Sequence, residues 1–135
     1  MKTRQTGFTM IELIVVIVIL GILAATALPK FIDMRGDAQS ASVQGVAGAA
    51  ASAMNLNFSG CSLMNHVVTL NKCQTVSACA NAAALLQGGL PSGYSVAASG
   101  AALAATNGST AACTVSGGTG SGVKTSDFTA IAAGN

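Results

Sequence analysis

The sequence predicts an α+β protein, with one long N-terminal α-helix packed on a small C-terminal domain of antiparallel β-sheet. Residues 8–28 are almost continuously apolar, and apolar residues then recur at steps of three and four to about Asn57, which is the spacing of a helix. Segments typical of strands follow only beyond residue 93, with Gly, Pro and Asn turn signals around them. A long helix followed by an antiparallel sheet is an α+β arrangement.

The composition of the 135-residue chain fits one domain plus a membrane segment. Apolar residues make up 51% and charged residues only 7%, whereas charged residues are about a quarter of a soluble domain. The part beyond residue 28 is rich in Ala, Gly, Ser and Thr. Because such side chains bury little area each, we expect a thin core in the globular part.

The apolar run of residues 8–28 is long enough to cross a membrane. Its 21 residues would span about 30 Å as a helix, which is the thickness of a bilayer core. A short polar leader with two cations, Lys2 and Arg4, precedes it. Because positively charged segments stay on the cytoplasmic side, we expect the remainder of the chain to face outward.

One carboxylate interrupts this run, at Glu12 near its N-terminal end. An unpaired carboxylate in a membrane is costly, and it either becomes protonated or finds a partner. A cut between Gly7 and Phe8 would supply a partner, since it creates an α-amino group four residues before Glu12. Within one helix these two groups lie at the i, i+4 spacing. Between staggered helices the same pair would fix the axial offset.

The segment G-F-T-M-I-E-L at residues 7–13, after a short basic leader, resembles the signal of type IV prepilins. Met10 replaces the usual leucine of that signal, which is a conservative change. The similarity continues through the apolar run and the Pro29-Lys30-Phe31 stretch, so it covers about the first third of the chain. Residues 33–44 are also similar to the mannose-sensitive haemagglutinin branch of these pilins. The rest of the chain shares only the layout.

This resemblance implies the pilin fold and a specific processing. A prepilin peptidase in the inner membrane would cut after Gly7 and N-methylate Phe8. Glu12 would then pair with the N-terminal amine of a neighbouring subunit during assembly. The implied product is a homo-oligomer, a helical filament built by the pilus assembly machinery for adhesion, motility or uptake. The subunit would be stored as a single-pass inner-membrane protein before it enters an extracellular pilus on the cell surface.

The long helix has two weak points, Gly21 and Pro29, because glycine has low helix propensity and proline lacks a backbone donor. We therefore expect a kink near Pro29 in the membrane, and partial unwinding between these two residues in the filament. The expected division of the chain is a cleaved leader at 1–7, a transmembrane and filament-core helix at 8–28, an amphipathic half-helix at 29–58 and a globular head at 59–135.

In the head we expect a loop, a short helix and an antiparallel sheet. Asn107-Gly108 predicts a hairpin turn between strands at 101–106 and 109–116. Gly45 and Gly48 of the long helix are expected to face the sheet, because glycine permits close packing. The other expected elements are a helix at about 77–86, strands at 94–98 and 128–131, and a flexible loop at 117–122.

Four cysteines beyond the apolar run predict two disulfides and an oxidising compartment. Of the three possible connectivities we favour Cys61–Cys73 with Cys79–Cys113. The first bond closes the loop after the long helix, and the second ties the short helix to a strand. A zinc site is disfavoured, because 11, 5 and 33 residues separate the cysteines and no C-x2-C pair occurs.

Few residues are available for catalysis, for cofactor binding or for nucleic-acid binding. His66 is the only histidine, and Asp127 is the only acid beyond Asp37, so a carboxylate pair or a Cys/His dyad is hard to build. The net charge of +2 comes from the leader, and no basic face marks a nucleic-acid protein. We therefore expect no enzyme, no cofactor and no metal.

Alternatives stay open for the kind of export and for the charged residues after Pro29. A type II secretion pseudopilin would share the signal and helix, but only Asp127 could offer a C-terminal carboxylate to calcium, which needs several oxygens. A secretory signal cut near Ala27 would release a soluble domain, although the carboxylate within the run opposes it. One cluster is either a solvated face or a contact between subunits: Lys30, Asp33, Arg35 and Asp37.

Overall fold

The computed structural model describes residues 7–118 and 122–135, without the side chains of residues 29–33. The leader up to residue 6 and the centre of the expected loop at 117–122 lie outside the described residues. The chain forms two compact units, one up to Gly36 and one from Asp37 onward. The helices are α1 (Met10–Leu63), a 3₁₀ helix (Cys79–Asn81) and α2 (Ala82–Leu85); the strands are β1 (Tyr94–Ala98), β2 (Thr110–Gly117) and β3 (Lys124–Ile131). This arrangement confirms the predicted α+β class.

In the first unit, the stretch Met10–Leu28 of α1 is long and apolar enough to cross a membrane, at 19 residues. Every side chain of this stretch is exposed. A surface helix of a soluble protein buries an apolar stripe and presents a polar face, but this stretch is apolar on all sides. The described residues of the first unit therefore leave its apolar surface uncovered.

In the second unit, α1 buries one face in the same apolar core as the sheet. The buried residues recur at steps of four, three and four, which places them on one side of the helix. They are Val43, Ala47, Ala50 and Met54. The prediction that Gly45 and Gly48 face the sheet is wrong: both are exposed, with no atom of the chain near the position of a side chain.

The sheet has the order β1-β2-β3, and both pairings are antiparallel. Tyr94 pairs with Gly117 in the first ladder, and Cys113 pairs with Phe128 in the second. Because side chains alternate along a strand, Val115 and Ala130 point to the same face as Cys113 and Phe128. All four are buried, so this face of the sheet forms the core with α1.

Helix α1 continues to Leu63, beyond the predicted end near Asn57. The extra turns carry Gly60 and the buried Cys61, which is bonded to Cys73. A side chain on Gly60 would collide with the backbone carbonyl oxygen of Lys72. This glycine therefore acts as a site of close approach rather than as a helix stop, and the tertiary contact outweighs its low helix propensity.

The prediction of a hairpin at Asn107-Gly108 is wrong, because residues 101–106 form no strand. Strand β2 pairs instead with β1, and an 11-residue connection at 99–109 joins the two strands. The Asn107 side chain instead exchanges two hydrogen bonds with the backbone of Asn135, at 2.9 and 3.0 Å. The Gly108 N–H donates to the carbonyl of Ala132 at 2.8 Å. The Asn-Gly turn therefore holds the C-terminal segment against the head.

Two disulfides brace the head: Cys61–Cys73 and Cys79–Cys113. The first belongs to a small separate core that includes Ala133. The second joins the 3₁₀ helix to the central strand β2 within the main core. The helix expected at 77–86 is thus shorter than predicted and begins as a 3₁₀ turn, and Gly88 and Gly89 follow it with φ of 88° and 76°.

Candidate assembly site at the start of the long helix

Thr9 and Glu12 form a reciprocal set of hydrogen bonds at the start of α1. The Glu12 carboxylate accepts from the Thr9 backbone N–H at 2.8 Å and from the Thr9 hydroxyl at 2.7 Å. The Glu12 N–H donates back to the Thr9 hydroxyl oxygen at 3.3 Å. This is a capping box, in which a Thr before the helix and a Glu three residues later satisfy backbone donors that the helix leaves free.

The capping box uses only one oxygen of the Glu12 carboxylate. Both bonds from Thr9 end on Oε2, and Oε1 accepts no hydrogen bond from the described residues. A carboxylate oxygen has two lone pairs and readily accepts a charged donor. Glu12 can therefore hold the helix start and bind a second group at the same time.

The local role of Glu12 in capping α1 was not among the predictions, although the sequence carries a signal for it. Thr9-Met10-Ile11-Glu12 has the spacing T-x-x-E immediately before an apolar run, which is the pattern of a capping box. The presence of a carboxylate so close to an apolar helix therefore has a local cause in addition to any role in assembly.

A shallow apolar groove lies beside this carboxylate. Its lining residues stand on one side of the first two turns, and its volume is about 320 Å³. They are Phe8, Ile11, Glu12, Val15 and Val16. Because Phe8 is 91% exposed, the groove is open to a neighbouring apolar helix, with the carboxylate as its single charged group.

The predicted processing site lies just before the helix. Gly7 and Phe8 are exposed and non-helical, and α1 begins at Met10. The peptide bond between them is therefore accessible in an irregular segment. The competing cut near Ala27 would fall inside α1, where the backbone is helical.

The two predicted weak points lie within the continuous helix α1. Gly21 has no atom of the chain near a Cβ position, and α1 is helical through Pro29. Between them, the Thr26 hydroxyl donates to the Leu23 carbonyl at 3.0 Å. The expected kink and the unwinding in a filament stay predictions.

No cluster of three or more His, Cys, Asp or Glu side chains occurs in residues 7–118 and 122–135, where all four cysteines are in disulfides. His66 lies in the loop after α1 with φ of 59°, and its ring is 5.6 Å from that of Phe58.

Comparisons with known proteins match only part of the chain. Residues 2–28 match the model of the prokaryotic N-terminal methylation motif. The chain is 52% identical over 50 residues, 37% of its length, to the type IV narrow pilus major component PilA5 of Thermus thermophilus, of which 43% is covered. It is 59% identical over 39 residues, 29% of its length, to the type IV major pilin protein PilE1 of Neisseria gonorrhoeae, of which 24% is covered.

A third relative is the type IV major fimbrial protein FimA of Dichelobacter nodosus, which is 51% identical over 41 residues; these are 30% of this chain and 26% of that protein. The chain thus aligns with less than half the length of the relatives it matches. No solved structure matches it. Three observations support the interpretation of this chain as a type IV pilin. They are the methylation motif, these similarities, and the long apolar helix that is followed by an antiparallel sheet.

Proposed function

We propose that this chain is the precursor of a structural subunit that polymerises into an extracellular type IV pilus, and that it is not an enzyme. The observation that carries the proposal is Glu12, a capped carboxylate with one free oxygen at the start of a fully exposed apolar helix. The Gly7-Phe8 junction precedes it directly. An apolar helix that is exposed along its whole length is untypical of a soluble protein, whereas a membrane or a polymer of helices can cover it.

In the proposed processing, a prepilin peptidase cuts after Gly7 and the new Phe8 amine is methylated. The amine is cationic, and in an apolar surrounding it needs an anionic partner. Glu12 Oε1 of a neighbouring subunit accepts it, while Oε2 keeps its bonds to Thr9. The capping box therefore orients the carboxylate for its second partner.

Before assembly, the subunit is stored in the inner membrane with Met10–Leu28 across the bilayer and the head outside. Storage requires continuous helix, since lipid cannot satisfy free backbone groups. In the filament, neighbouring chains surround the stretch between Gly21 and Pro29, which then unwinds in part. Extended residues rise about 3.3 Å instead of about 1.5 Å, so unwinding adjusts the distance between head and carboxylate.

The processing is tested by the intact mass of the exported protein. We expect the loss of residues 1–7 and the gain of one methyl group at Phe8. A mature chain that begins at Leu28 would overturn the proposal, because the apolar helix would then be only a secretory signal. Unmethylated full-length chain in the exported fraction would also contradict it.

Assembly is tested by shearing filaments from cells and identifying their main component. A structural pilin should be the principal protein of these filaments, and deletion of its gene should remove them. Filaments that keep their number and composition after the deletion would contradict the proposal. A periplasmic pool of the subunit with no surface filament would favour the pseudopilin alternative.

A further inference from the structure

A cleft in the second unit has an apolar floor and a polar rim. Its volume is about 240 Å³. Half-buried Ala53 of α1 and Leu85 of α2 form its apolar floor, and Leu56 of α1, which is 75% exposed, lines its edge. The polar side chains around it are those of Asn57, Asn71, Lys72 and Gln74.

The rim is held rigidly against α1. The Asn57 side chain makes two hydrogen bonds of 2.8 Å to the backbone of Gln74, one to its carbonyl and one from its N–H. Cys73 is bonded to Cys61 of α1, and its backbone exchanges two 2.9 Å hydrogen bonds with that of Thr69. These bonds fix the segment 69–74, which carries the rim. The segment therefore loses little conformational entropy when a partner binds.

The outward side chains of the rim have polar groups without partners in the described structure. Asn71, Lys72 and Gln74 are exposed, and among residues 7–118 and 122–135 their side chains make no hydrogen bond or ion pair. The Lys72 ammonium is the only charge of the cleft. Two amides and one cation beside an apolar floor suit a carboxylate on a short aliphatic stem.

The second unit contains one side-chain carboxylate with neither oxygen bonded to a described side chain. Its acids are Asp37 and Asp127. Oδ1 of Asp127 accepts a hydrogen bond from the Thr114 hydroxyl at 2.5 Å, so Asp127 has fewer lone pairs left for a bidentate set of new donors than Asp37 has. Asp37 is exposed on α1, and no described side chain bonds to it.

Asp37 cannot reach the cleft of its own molecule. Along α1, Ala53 and Asn57 lie 16 and 20 residues after Asp37. At a rise of about 1.5 Å per residue these positions are about 24–30 Å from it. A contact between Asp37 and Lys72 therefore has to join two molecules.

We propose that the cleft beside Lys72 binds Asp37 of a second copy of this chain. The inference rests on the proposed filament function and specifies one of its interfaces. The two copies are parallel and displaced by about 24–30 Å along the helix axis, the distance between the two sites. Because the two surfaces differ, the contact is heterologous and repeats from copy to copy without closing a dimer, which is the geometry of a filament.

Zero-length cross-linking of sheared filaments with a carbodiimide tests the contact directly. The reagent joins the Asp37 carboxylate to the Lys72 amine as an amide, with the loss of one water. We expect a Lys72–Asp37 cross-linked peptide from filaments and none from subunits dispersed in detergent. Coupling of Lys72 to a different acid, with no Asp37 product, would overturn the assignment.

Charge reversal tests the same contact in cells. We expect Lys72→Glu and Asp37→Lys to lower the yield of filaments about tenfold each, because an attraction becomes a repulsion at every repeat. The double variant should recover most of the yield. The matched control is Lys124→Glu on β3, which makes the same charge change outside the cleft and should leave the yield within about twofold.

The outcomes separate this inference from the function on which it rests. Normal filaments from both single variants would overturn the contact and leave the pilus function intact. Failure of the double variant to improve on the single variants would also overturn it. Absence of filaments from the wild-type protein would overturn the proposed function and the contact with it. The folding of each variant is checked by non-reducing peptide mapping of its two disulfides.

Discussion

The carboxylate of Glu12 accepts both the backbone N–H and the hydroxyl of Thr9 through the same oxygen, Oε2. The helix start and the proposed assembly contact therefore meet in one side chain and use its two oxygens separately. Variants of Glu12 can be chosen to remove one role and keep the other.

Glu12→Val should leave a stable, processed subunit that assembles poorly, because it removes both oxygens and also removes a charge that is costly in a bilayer. Glu12→Gln keeps an amide oxygen that can cap the helix but lacks the negative charge. We expect Gln to restore the helix start and not the filaments. Filament yield and processing are measured for both variants, and wild-type yield from the Gln variant would mean that capping is the main role.

Thr9→Ala should weaken the helix start while the carboxylate of Glu12 stays in place, although it loses the bond from the Thr9 hydroxyl. Loss of such a cap costs about 1 kcal/mol, so amide hydrogen exchange in the first turn of α1 should speed up about fivefold. Thr9→Ser is the matched control, since serine keeps the hydroxyl. Equal exchange rates in the Ala variant and the wild type would show that the bonds seen here contribute nothing in the membrane.

Asn57→Ala should destabilise the head by about 1–3 kcal/mol for each backbone group of Gln74 left unpaired. Asn57 is 8% exposed, and its amide satisfies both the N–H and the carbonyl of that residue. Asn55→Ala is the control, because Asn55 is exposed and, among the described residues, its side chain bonds only to the Ala51 carbonyl one turn earlier. Denaturant unfolding of the two variants compares them, and equal stabilities would contradict the role given to Asn57.

Removing Cys79–Cys113 should cost more stability than removing Cys61–Cys73. The two cysteines are 34 residues apart in the first bond and 12 residues apart in the second. In the loop-entropy model, the bond that closes the longer loop stabilises the fold by about 1 kcal/mol more. Paired Cys→Ser variants followed by thermal unfolding check this order. Loss of Cys61–Cys73 should instead act locally and reduce the proposed Lys72 cross-link, because that bond holds the rim of the cleft.

Pro29→Ala should make the helix harder to unwind in the filament. Proline in a helix interior costs about 3 kcal/mol or more, and alanine removes that cost. A filament map at side-chain resolution should show unwound backbone between Gly21 and Pro29 in the wild type and a shorter unwound stretch in the variant. Continuous helix from Met10 to Leu63 in the wild-type filament would refute the unwinding.

The long helix and the strands β1 and β2 were accessible from the sequence, because their signals are local, whereas only residues 128–131 of β3 were expected as a strand. The apolar run and the three-and-four spacing predict most of α1, and the strand expected at 94–98 is β1 (Tyr94–Ala98). The end of α1 was not accessible. Gly60 is a stop signal by propensity, yet the approach of the Lys72 carbonyl and the Cys61–Cys73 bond carry the helix on to Leu63.

The wrong predictions for the head concern residues that have a local turn signal but form their hydrogen bonds with residues far along the chain. Asn107-Gly108 has the composition of a hairpin turn, but its polar groups bond to Asn135 and Ala132, which lie about 25 residues further along the chain. The cleft beside Lys72 is likewise built from three segments, whose proximity no periodicity reveals. The capping box is different, since its four residues are consecutive in the sequence.

Because Gly45 and Gly48 face outward, the thermal stability of the subunit and its ability to assemble can change in opposite directions when these residues are replaced. Apart from the adjacent backbone of α1, no described atom lies within 4 Å of the Cβ position at either residue, and each glycine costs about 1 kcal/mol of helix stability relative to alanine. A lone molecule should therefore melt at a higher temperature with alanine at both positions. A screen that ranks variants by melting temperature would favour this replacement. It would not detect whether the added methyl groups prevent a neighbouring molecule from packing closely against the two positions. The melting temperature of the isolated subunit is thus a poor guide to how well such a chain builds a polymer.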